Sequence, residues 1–432
     1  MHRWGGFTGL SLVHGPLHVV LVAGAGLGLL ALLLLRRDRA WWSRRVPVAV
    51  AVSAALVAGL VLTLAMVQPW PDPLPLPVLL WIGGGLLALI LLGLGWRRSR
   101  RWSRALAPVA AVLVLAGAAD GVDSVFGAFP TLATAMQLPP ADQTSNATVL
   151  RHPVVGAATV QAWRPPETMP RAGAVTQVSI PATASGFAAR SAWVYVPPAY
   201  LTPSHPLLPV LLLIGGQPGN PRDWLDGGQL AQQMDGWAAA HAGLAPVVVM
   251  PDALGSVTAN PLCMNSALGQ VDTYLASDVV SWVSSNLQVD PDHAHWAVGG
   301  FSYGGTCSLQ LAVAHPELFP TFLDISGQDS PTLGNRARTV AATFGGREAA
   351  FDAVDPLHEL AARPEPGSAG YLVVGAQDSH YRPQQQTVAA AARAAGMSIT
   401  YRELPGGHNW DVWRPALSDA LPWLAARMGL LP

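Results

Sequence analysis

The chain has 432 residues, of which 51% are hydrophobic and only 12% are charged, and its formal net charge is −1. This length allows two or three domains, and a charge so close to zero gives no reason to expect a nucleic-acid partner. Two cysteines are too few for a disulfide-stapled scaffold or a zinc site. The apolar excess is concentrated in the first third of the chain, which indicates a membrane-spanning region rather than an oversized core.

Four apolar stretches open the sequence, and each is close to the ~20 residues that a helix needs to cross a bilayer. They are residues 17–35, 46–67, 77–96 and 105–129. Arginines cluster after the first stretch (Arg36–Arg45) and after the third (Arg97–Arg104), whereas residues 68–76 contain none. By the positive-inside rule both arginine loops are cytoplasmic. We therefore expect a multi-pass protein of the plasma membrane, with its N-terminus and everything after the fourth stretch on the extracytoplasmic side.

Two acidic residues, Asp120 and Asp123, fall late in the fourth stretch. An ionised carboxylate is costly in the hydrocarbon region unless it is paired. Since no basic partner is expected within the spans, we expect the hydrocarbon part to end near Ala119 and both aspartates to lie at the outer interface.

The composition and periodicity of the sequence change twice after the fourth apolar stretch. Residues 136–170 are polar and Pro-rich without a sustained period, which predicts a linker between a four-span anchor (1–135) and a third region (171–432). In that region, apolar runs of strand length alternate with helical patterns, which is typical of an α/β fold with a mostly parallel central sheet flanked by helices. The predicted strands are 174–180, 191–196, 208–214, 246–250, 295–298, 322–325, 371–374 and 398–404, and the predicted helices are 230–242, 274–287, 306–314 and 415–428.

One pentapeptide carries the strongest chemical signal in the chain. Gly300-Phe301-Ser302-Tyr303-Gly304 matches Gly-x-Ser-x-Gly, with a predicted strand before it and a predicted helix after it. This context defines a nucleophile elbow, in which a strained turn lifts a serine hydroxyl clear of the sheet. We therefore expect Ser302 to be a catalytic nucleophile and the domain to have the α/β-hydrolase fold.

A serine nucleophile needs a histidine base and an acid that orients it, in the chain order Ser, acid, His. His408 lies on a loop between the last predicted strand and the last predicted helix, so we expect it to be the base. Asp378 follows the strand 371–374 and is the favoured acid. Asp329, which follows the strand 322–325, is the alternative.

The oxyanion of the proposed reaction needs two backbone N–H donors. We expect these to be the N–H of Tyr303 and the N–H of Gln217, which lies in the turn after strand 208–214.

The cysteines and the remaining histidines give weaker signals. Cys263 and Cys307 can pair in an external domain, but the sequence leaves their pairing open. No Asp, Glu or His set completes a site with His293 and His295, so neither a metal nor a cofactor is expected.

From Ala174 onward the chain resembles the esterase D and mycolyltransferase branch of the α/β-hydrolases. The resemblance rests on Gly300–Gly305, on His315–Phe319 and on Gly407–Trp413, which contains a His-Asn-Trp-x-x-Trp run. It implies hydrolysis or transfer of acyl esters. Mycolyltransferases carry acidic and arginine residues where this chain has Gly215–Pro218, which disfavours trehalose as an acceptor. The four-span region resembles that of membrane-anchored actinobacterial esterases.

These observations predict a membrane-anchored extracytoplasmic serine esterase that acts on acyl esters of envelope or lipid substrates through Ser302, His408 and Asp378. Its expected partners are the substrate and the lipid bilayer. Three alternatives remain: an acyltransferase acting on a glycan or glycolipid, a catalytically degenerate envelope scaffold, and a transport or sensory role for the four spans.

Overall fold

A computed structural model of the chain describes residues 5–36, 38–68, 72–96, 101–150 and 159–431. Arg37, Arg97, Arg98 and Arg100 of the predicted arginine loops, and residues 151–158 of the predicted linker, lie outside the described residues. The chain divides into two compact units, Met1–Leu138 and Pro139–Pro432.

The first unit contains four helices that are long and apolar enough to cross a membrane, judged by length and composition. The long helices are α1 (Pro16–Leu34), α2 (Val46–Val67, preceded by a π-helical turn Trp41–Arg45), α3 (Leu76–Trp96) and α4 (Arg101–Phe126), and the single-turn helices are Gly5–Thr8 and Leu132–Ala135. The hydrophobic stretches of the sequence therefore form the expected helices.

Helices α1 and α4 pack closely along each other. A Cβ atom placed on Gly117 of α4 would lie 2.5 Å from the carbonyl oxygen of Leu21 in α1, so only glycine fits there. The expectation that Asp120 has no basic partner within the spans is wrong, because its Oδ2 atom lies 2.7 Å from Nδ1 of His18 in α1. Asp123 accepts a hydrogen bond from the backbone N–H of Phe129, just beyond the end of α4.

The second unit is built on an eight-stranded sheet with the order β1-β2-β4-β3-β5-β6-β7-β8. The strands are β1 (Ala174–Val178), β2 (Ala192–Val196), β3 (Val210–Ile214), β4 (Val247–Met250), β5 (Ala297–Phe301), β6 (Thr321–Ile325), β7 (Ala369–Gly375) and β8 (Ser398–Leu404). Strand β2 is antiparallel to β1 and β4, and every pairing from β4 to β8 is parallel. This is the α/β-hydrolase fold, as predicted. The central strands are buried along their whole length because helices cover both faces of a parallel sheet.

Helices connect the strands. They are α5 (Leu230–Ala240), α6 (Val280–Asn286, preceded by Val271–Thr273 and a π-helical turn Tyr274–Val279), α7 (Tyr303–Ala314), α8 (Arg336–Phe344), α9 (Pro356–Ala362), α10 (Tyr381–Ala394) and α11 (Trp410–Arg427). Shorter pieces are the helices Asn146–Val149, Asp223–Asp226 and Glu348–Asp352, the 3₁₀ turns Pro198–Leu201 and His293–His295, and a hairpin of Asn265–Ser266 with Gly269–Gln270.

Residues 139–150 and 159–170 of the predicted linker belong to the second unit and are packed into it. The backbone N–H of Thr144 donates to the carbonyl oxygen of Val175 in β1 (2.9 Å), and Val149 is fully buried in the hydrophobic core. The indole N–H of Trp163 donates to the carbonyl oxygen of Ala242 (2.9 Å). The polar, Pro-rich composition concealed these contacts because they are made by a backbone group and by single apolar residues without a periodic pattern.

Candidate active site

Ser302 stands on the sharp turn between β5 and α7. Its backbone has φ +54° and ψ −119°, a strained conformation for a residue other than glycine. Its N–H donates to the carbonyl oxygen of Ile325 in β6 (2.8 Å), and its own carbonyl accepts from Thr306 in α7 (3.1 Å). These bonds fix the turn from both sides, so the side chain projects from the carboxyl edge of the sheet.

The hydroxyl oxygen of Ser302 lies 2.9 Å from Nε2 of His408, and Nδ1 of His408 lies 2.9 Å from Oδ2 of Asp378. A carboxylate can only accept, so Nδ1 carries the proton and Nε2 is left to accept from the hydroxyl. The imidazole is held on two further sides: it stacks on Tyr381 with ring centroids 4.0 Å apart and meets Trp413 edge-on at 4.9 Å. The three predicted triad residues are therefore brought together in one hydrogen-bonded chain.

Asp378 follows β7 and is almost entirely buried. Burial alone would raise the pKa of this carboxyl, but the hydrogen bond and charge of His408, together with a hydrogen bond from the N–H of Tyr381 (3.0 Å), lower the pKa below its ordinary value. The group is therefore ionised at neutral pH and can stabilise a protonated imidazole.

The alternative acid, Asp329, has a different environment. Its N–H donates to Oε1 of Gln384 (3.3 Å), and burial, with the nearby charge of Asp355, raises the pKa of its carboxyl. Within the described part of the chain, the hydrogen bonds of the His408 ring go to Ser302 and Asp378 and none goes to Asp329.

The two turns expected to bind the oxyanion touch each other. Tyr303 is the first residue of α7, so its N–H points out of the helix N-terminus beside Ser302. A Cβ atom on Gly304 would lie 2.2 Å from the carbonyl oxygen of Ile214, the last residue of β3. Glycine is therefore required at this position, and the absence of a side chain lets the turn that carries Gln217 approach the elbow directly.

Residues 188–424 match the family model "Esterase", whose description is "Putative esterase". The chain belongs to this esterase family. The matched segment runs from before β2 into α11, so it contains Ser302, Asp378 and His408. The resemblance found in the sequence is confirmed at this level, and the chain is a hydrolase of the α/β-hydrolase fold.

Relatives of this esterase-family chain include an uncharacterized protein of Corynebacterium glutamicum, 36% identical over 361 residues, which cover 81% of this chain and 82% of the relative. That alignment is longer than the second unit, so it reaches into the apolar first unit. An acetyl esterase of Caldicellulosiruptor saccharolyticus is 19% identical over an alignment that covers 50% of this chain and 84% of the esterase.

Similar solved structures include an S-formylglutathione hydrolase from Agrobacterium tumefaciens, with 17% identity, 61% of this chain and 98% of that chain covered, and a TM-score of 0.49. MPT51 of Mycobacterium tuberculosis has 18% identity, with 58% of this chain and 97% of that chain covered, and a TM-score of 0.46.

The two cysteines of this esterase-family chain form a disulfide, with Cα atoms 5.4 Å apart. Cys263 lies in the long connection after β4, and Cys307 lies on α7, five residues after Ser302. Of the two histidines in the 293–295 turn, His295 is paired with a carboxylate, since its Nδ1 atom lies 2.7 Å from Oδ2 of Asp290. Among the described residues, no group of three or more His, Cys, Asp or Glu side chains is arranged to hold a metal ion.

Sequence reasoning missed several residues around the site. Tyr381, which stacks on His408, could have been suspected because it starts a helix three residues after Asp378. Arg190, which is partly exposed, and Asp252, which is buried, form an ion pair with Nη2 and Oδ1 2.7 Å apart, beside the turn that carries Gln217. No sequence signal links residues separated by 62 positions, so this pair could be found only in the structure.

Proposed function

We propose that this chain is a membrane-anchored serine carboxylic ester hydrolase with Ser302 as nucleophile, His408 as general base and acid, and Asp378 as the group that orients and stabilises the imidazole. The continuous hydrogen-bonded chain from Ser302 Oγ through His408 to Asp378, with both links at 2.9 Å, carries the proposal. A nucleophile, a base and an orienting acid in this relation form the catalytic unit of acyl-transfer enzymes.

The proposed reaction has two halves. In the first, the Ser302 oxygen attacks the ester carbonyl as its proton passes to Nε2 of His408, and the carbonyl oxygen becomes an anion bound by the N–H groups of Tyr303 and Gln217. The intermediate collapses to an acyl-enzyme as the imidazolium returns the proton to the departing alkoxide oxygen, which leaves as the alcohol. In the second half, His408 removes a proton from water, and the water oxygen attacks the acyl carbonyl carbon. The imidazolium then returns this proton to Ser302 Oγ as the bond between the acyl group and Oγ breaks, which releases the acid and regenerates the free serine.

The apolar helices of the first unit lead us to propose an acyl ester of the envelope or of a lipid as substrate, because an enzyme attached to a membrane meets substrates of that surface. The positive-inside rule supports an extracytoplasmic location for the second unit. An alcohol in place of water would make the same acyl-enzyme an acyltransferase intermediate, so the product formed in the presence of an acceptor alcohol distinguishes the two reactions.

The test is labelling of the full-length protein with a fluorophosphonate probe, which reacts with activated serines, together with turnover of a p-nitrophenyl ester series from acetyl to long acyl chains. We expect wild type to be labelled and active, and Ser302→Ala to be unlabelled and to lose several orders of magnitude in turnover, on the order of 10³-fold or more. Ser308→Ala is the matched control, because Ser308 is a buried serine on α7, the helix that follows Ser302, and its hydroxyl donates to the backbone carbonyls of Gly305 and Leu323. Full ester turnover by Ser302→Ala would rule out Ser302 as the nucleophile, whereas a wild-type protein with neither labelling nor ester turnover would favour the scaffold alternative.

A further inference from the structure

The connection after β4 contains a segment, residues 252–263, that lies beside the proposed oxyanion site; we call it the 252–263 loop. Its first residue is anchored to Arg190. Oδ2 of Asp252 accepts hydrogen bonds from the backbone N–H (2.7 Å) and Nε (3.0 Å) of Arg190, and Oδ1 accepts from Nη2 (2.7 Å). The same carboxylate accepts from the N–H groups of Leu254 and Gly255, both at 3.1 Å. The beginning of the loop is therefore rigidly held.

The side chain of Tyr303 joins the two ends of the 252–263 loop to the nucleophile helix. Its hydroxyl donates to the carbonyl oxygen of Ala253 (3.0 Å) and accepts from the N–H of Cys263 (2.9 Å). Burial raises the pKa of this phenol, so it keeps its proton and can make both bonds. Cys263 is also bonded covalently to Cys307, which lies one helical turn after Tyr303 on α7.

The other side of the loop touches the turn after β3. The N–H of Gly219 donates to the carbonyl oxygen of Val257 (2.9 Å), and the side-chain amide of Gln217 donates to the carbonyl oxygen of Thr258 (3.0 Å). Arg190, which anchors the start of the loop, also contacts this turn, because its Nη2 donates to the carbonyl oxygen of Gly219 (3.1 Å). Three hydrogen bonds thus tie this turn to the loop and its anchor.

We propose that the 252–263 loop is a brace for the oxyanion site, in which Tyr303, Arg190 and the Cys263–Cys307 disulfide act as positioning residues that hold the N–H of Gln217 at a fixed distance from the N–H of Tyr303. The inference rests on the proposed function, since it concerns the same two oxyanion donors. Those donors come from the ends of different strands, β3 and β5, and catalytic donors must be held to within a fraction of an ångström. The brace supplies that link, because it connects the side chain of one donor residue to the turn of the other.

The test compares two tyrosines with matched hydrogen bonding. Tyr200 is equally buried, and its hydroxyl likewise donates to a carbonyl oxygen (Val149, 3.0 Å) and accepts from an N–H (Gln288, 3.0 Å). Tyr200→Phe therefore removes the same kinds of bond in another part of the unit. We expect both Phe variants to lose similar thermal stability. Only Tyr303→Phe should lower kcat, by about tenfold, with KM changed by less than about twofold, because misplaced catalytic groups affect the transition state more than the ground state.

Inhibition by an alkyl trifluoromethyl ketone separates positioning from general loosening. Ser302 adds to this ketone to give a tetrahedral oxyanion that resembles the transition state. Its inhibition constant should rise in Tyr303→Phe by about the factor by which kcat/KM falls, and should stay unchanged in Tyr200→Phe. Equal kcat and equal inhibition in the two Phe variants would overturn the inference.

Two further variants cover the case in which Tyr303→Phe does not fold. Arg190→Gln removes the bond to Gly219 and should reproduce the loss in kcat, whereas Arg402→Gln, which removes an exposed pairing with Asp419, should not. The double variant Cys263→Ala with Cys307→Ala tests the covalent link in the same assay. Wild-type kcat in both Arg190→Gln and the double cysteine variant contradicts the brace. Loss of activity in Ser302→Ala is independent of these results, so the proposed function and the brace can fail separately.

Discussion

Ser302 Oγ lies 2.9 Å from His408 Nε2, although 106 residues separate the two along the chain and two strands, β6 and β7, lie between theirs in the sheet. The loop that carries His408 reaches back across the end of β7. A Cβ atom on Gly375, the last residue of β7, would lie 2.5 Å from the carbonyl oxygen of Gly406, which also accepts a hydrogen bond from the N–H of Gln377 (2.9 Å). The turn that carries Asp378 therefore supports the histidine loop as well as the histidine.

The acid of the triad can be tested with a matched pair of substitutions. Asp378→Asn removes the charge that stabilises the imidazolium and allows the wrong tautomer of His408, so we expect kcat to fall on the order of 10²–10⁴-fold. Asp329→Asn changes a carboxyl that makes no hydrogen bond to His408 within the described residues, and should leave kcat within about twofold of wild type. Steady-state ester hydrolysis measures both. Loss of activity in Asp329→Asn with a silent Asp378→Asn would transfer the role to Asp329.

The close approach of the elbow to β3 predicts the effect of a single methyl group. Gly304→Ala places a Cβ atom against the carbonyl oxygen of Ile214, so the two oxyanion turns must move apart. We expect a loss of stability of about 1–3 kcal/mol and a larger loss of kcat than of substrate affinity. Gly367→Ala is the control, because nothing lies within 4 Å of the added atom. Wild-type kcat in Gly304→Ala would show that the turns are not held in contact.

The sequence predicted those parts of the site that depend on local pattern or chain order. Gly300–Gly304 between a strand and a helix indicated the elbow, and the order of elements singled out His408. The last helix was predicted to start near Pro415, whereas α11 begins at Trp410 and contains Pro415. The pairing of Arg190 with Asp252 and of His18 with Asp120 depends on tertiary packing between distant residues, for which a single sequence holds no signal.

A fully buried carboxyl in β6 predicts a pH dependence of stability. Burial raises the pKa of Asp324 to about 7. Hydrogen bonds from Nε2 of Gln385 (2.8 Å) and the N–H of Gly327 (2.9 Å) act in the opposite direction, but their effect is smaller than that of burial. In the unfolded chain an aspartate ionises near pH ~3.9. Between these values the folded state holds a proton that the unfolded state has lost. The contribution of Asp324 to stability is therefore complete below about pH 4 and is lost as pH rises toward 7.

Asp324→Asn removes this titration while keeping the shape of the side chain. We expect the variant to lose less stability than wild type between pH 4 and 8, by an amount on the order of 4 kcal/mol at most. Thermal unfolding of the full chain in detergent at several pH values measures the difference. Glu167→Gln, at an exposed position, is the control. Parallel pH curves for wild type and Asp324→Asn would show that Asp324 does not carry this dependence.

The packing of α1 on α4 gives a prediction for the first unit. Gly117→Val places its side chain against the backbone of Leu21 and the Cβ atom of Ala25, both within 2.5 Å of the new Cβ. The helices must separate, so we expect a lower unfolding temperature in detergent. Gly26→Val is the control, since nothing lies within 4 Å of a Cβ there. An equal effect of the two substitutions would mean that helix propensity, rather than contact between α1 and α4, determines the change.

The distribution of arginine predicts the side of the membrane on which the proposed ester hydrolysis takes place. Arginines cluster between α1 and α2 and around the start of α4, whereas residues 68–76 contain none, so the positive-inside rule puts the segment after α4 outside the cytoplasm. In the full chain, a cysteine introduced by Ala141→Cys should react with a membrane-impermeant maleimide added to intact cells. A cysteine introduced by Ser43→Cys in the first arginine loop should react only after the membrane is opened. The native cysteines do not compete for the maleimide, because they are joined in a disulfide.

The reverse labelling pattern would put the hydrolase unit in the cytoplasm and remove the argument for an envelope substrate, while leaving the proposed roles of Ser302 and His408 intact.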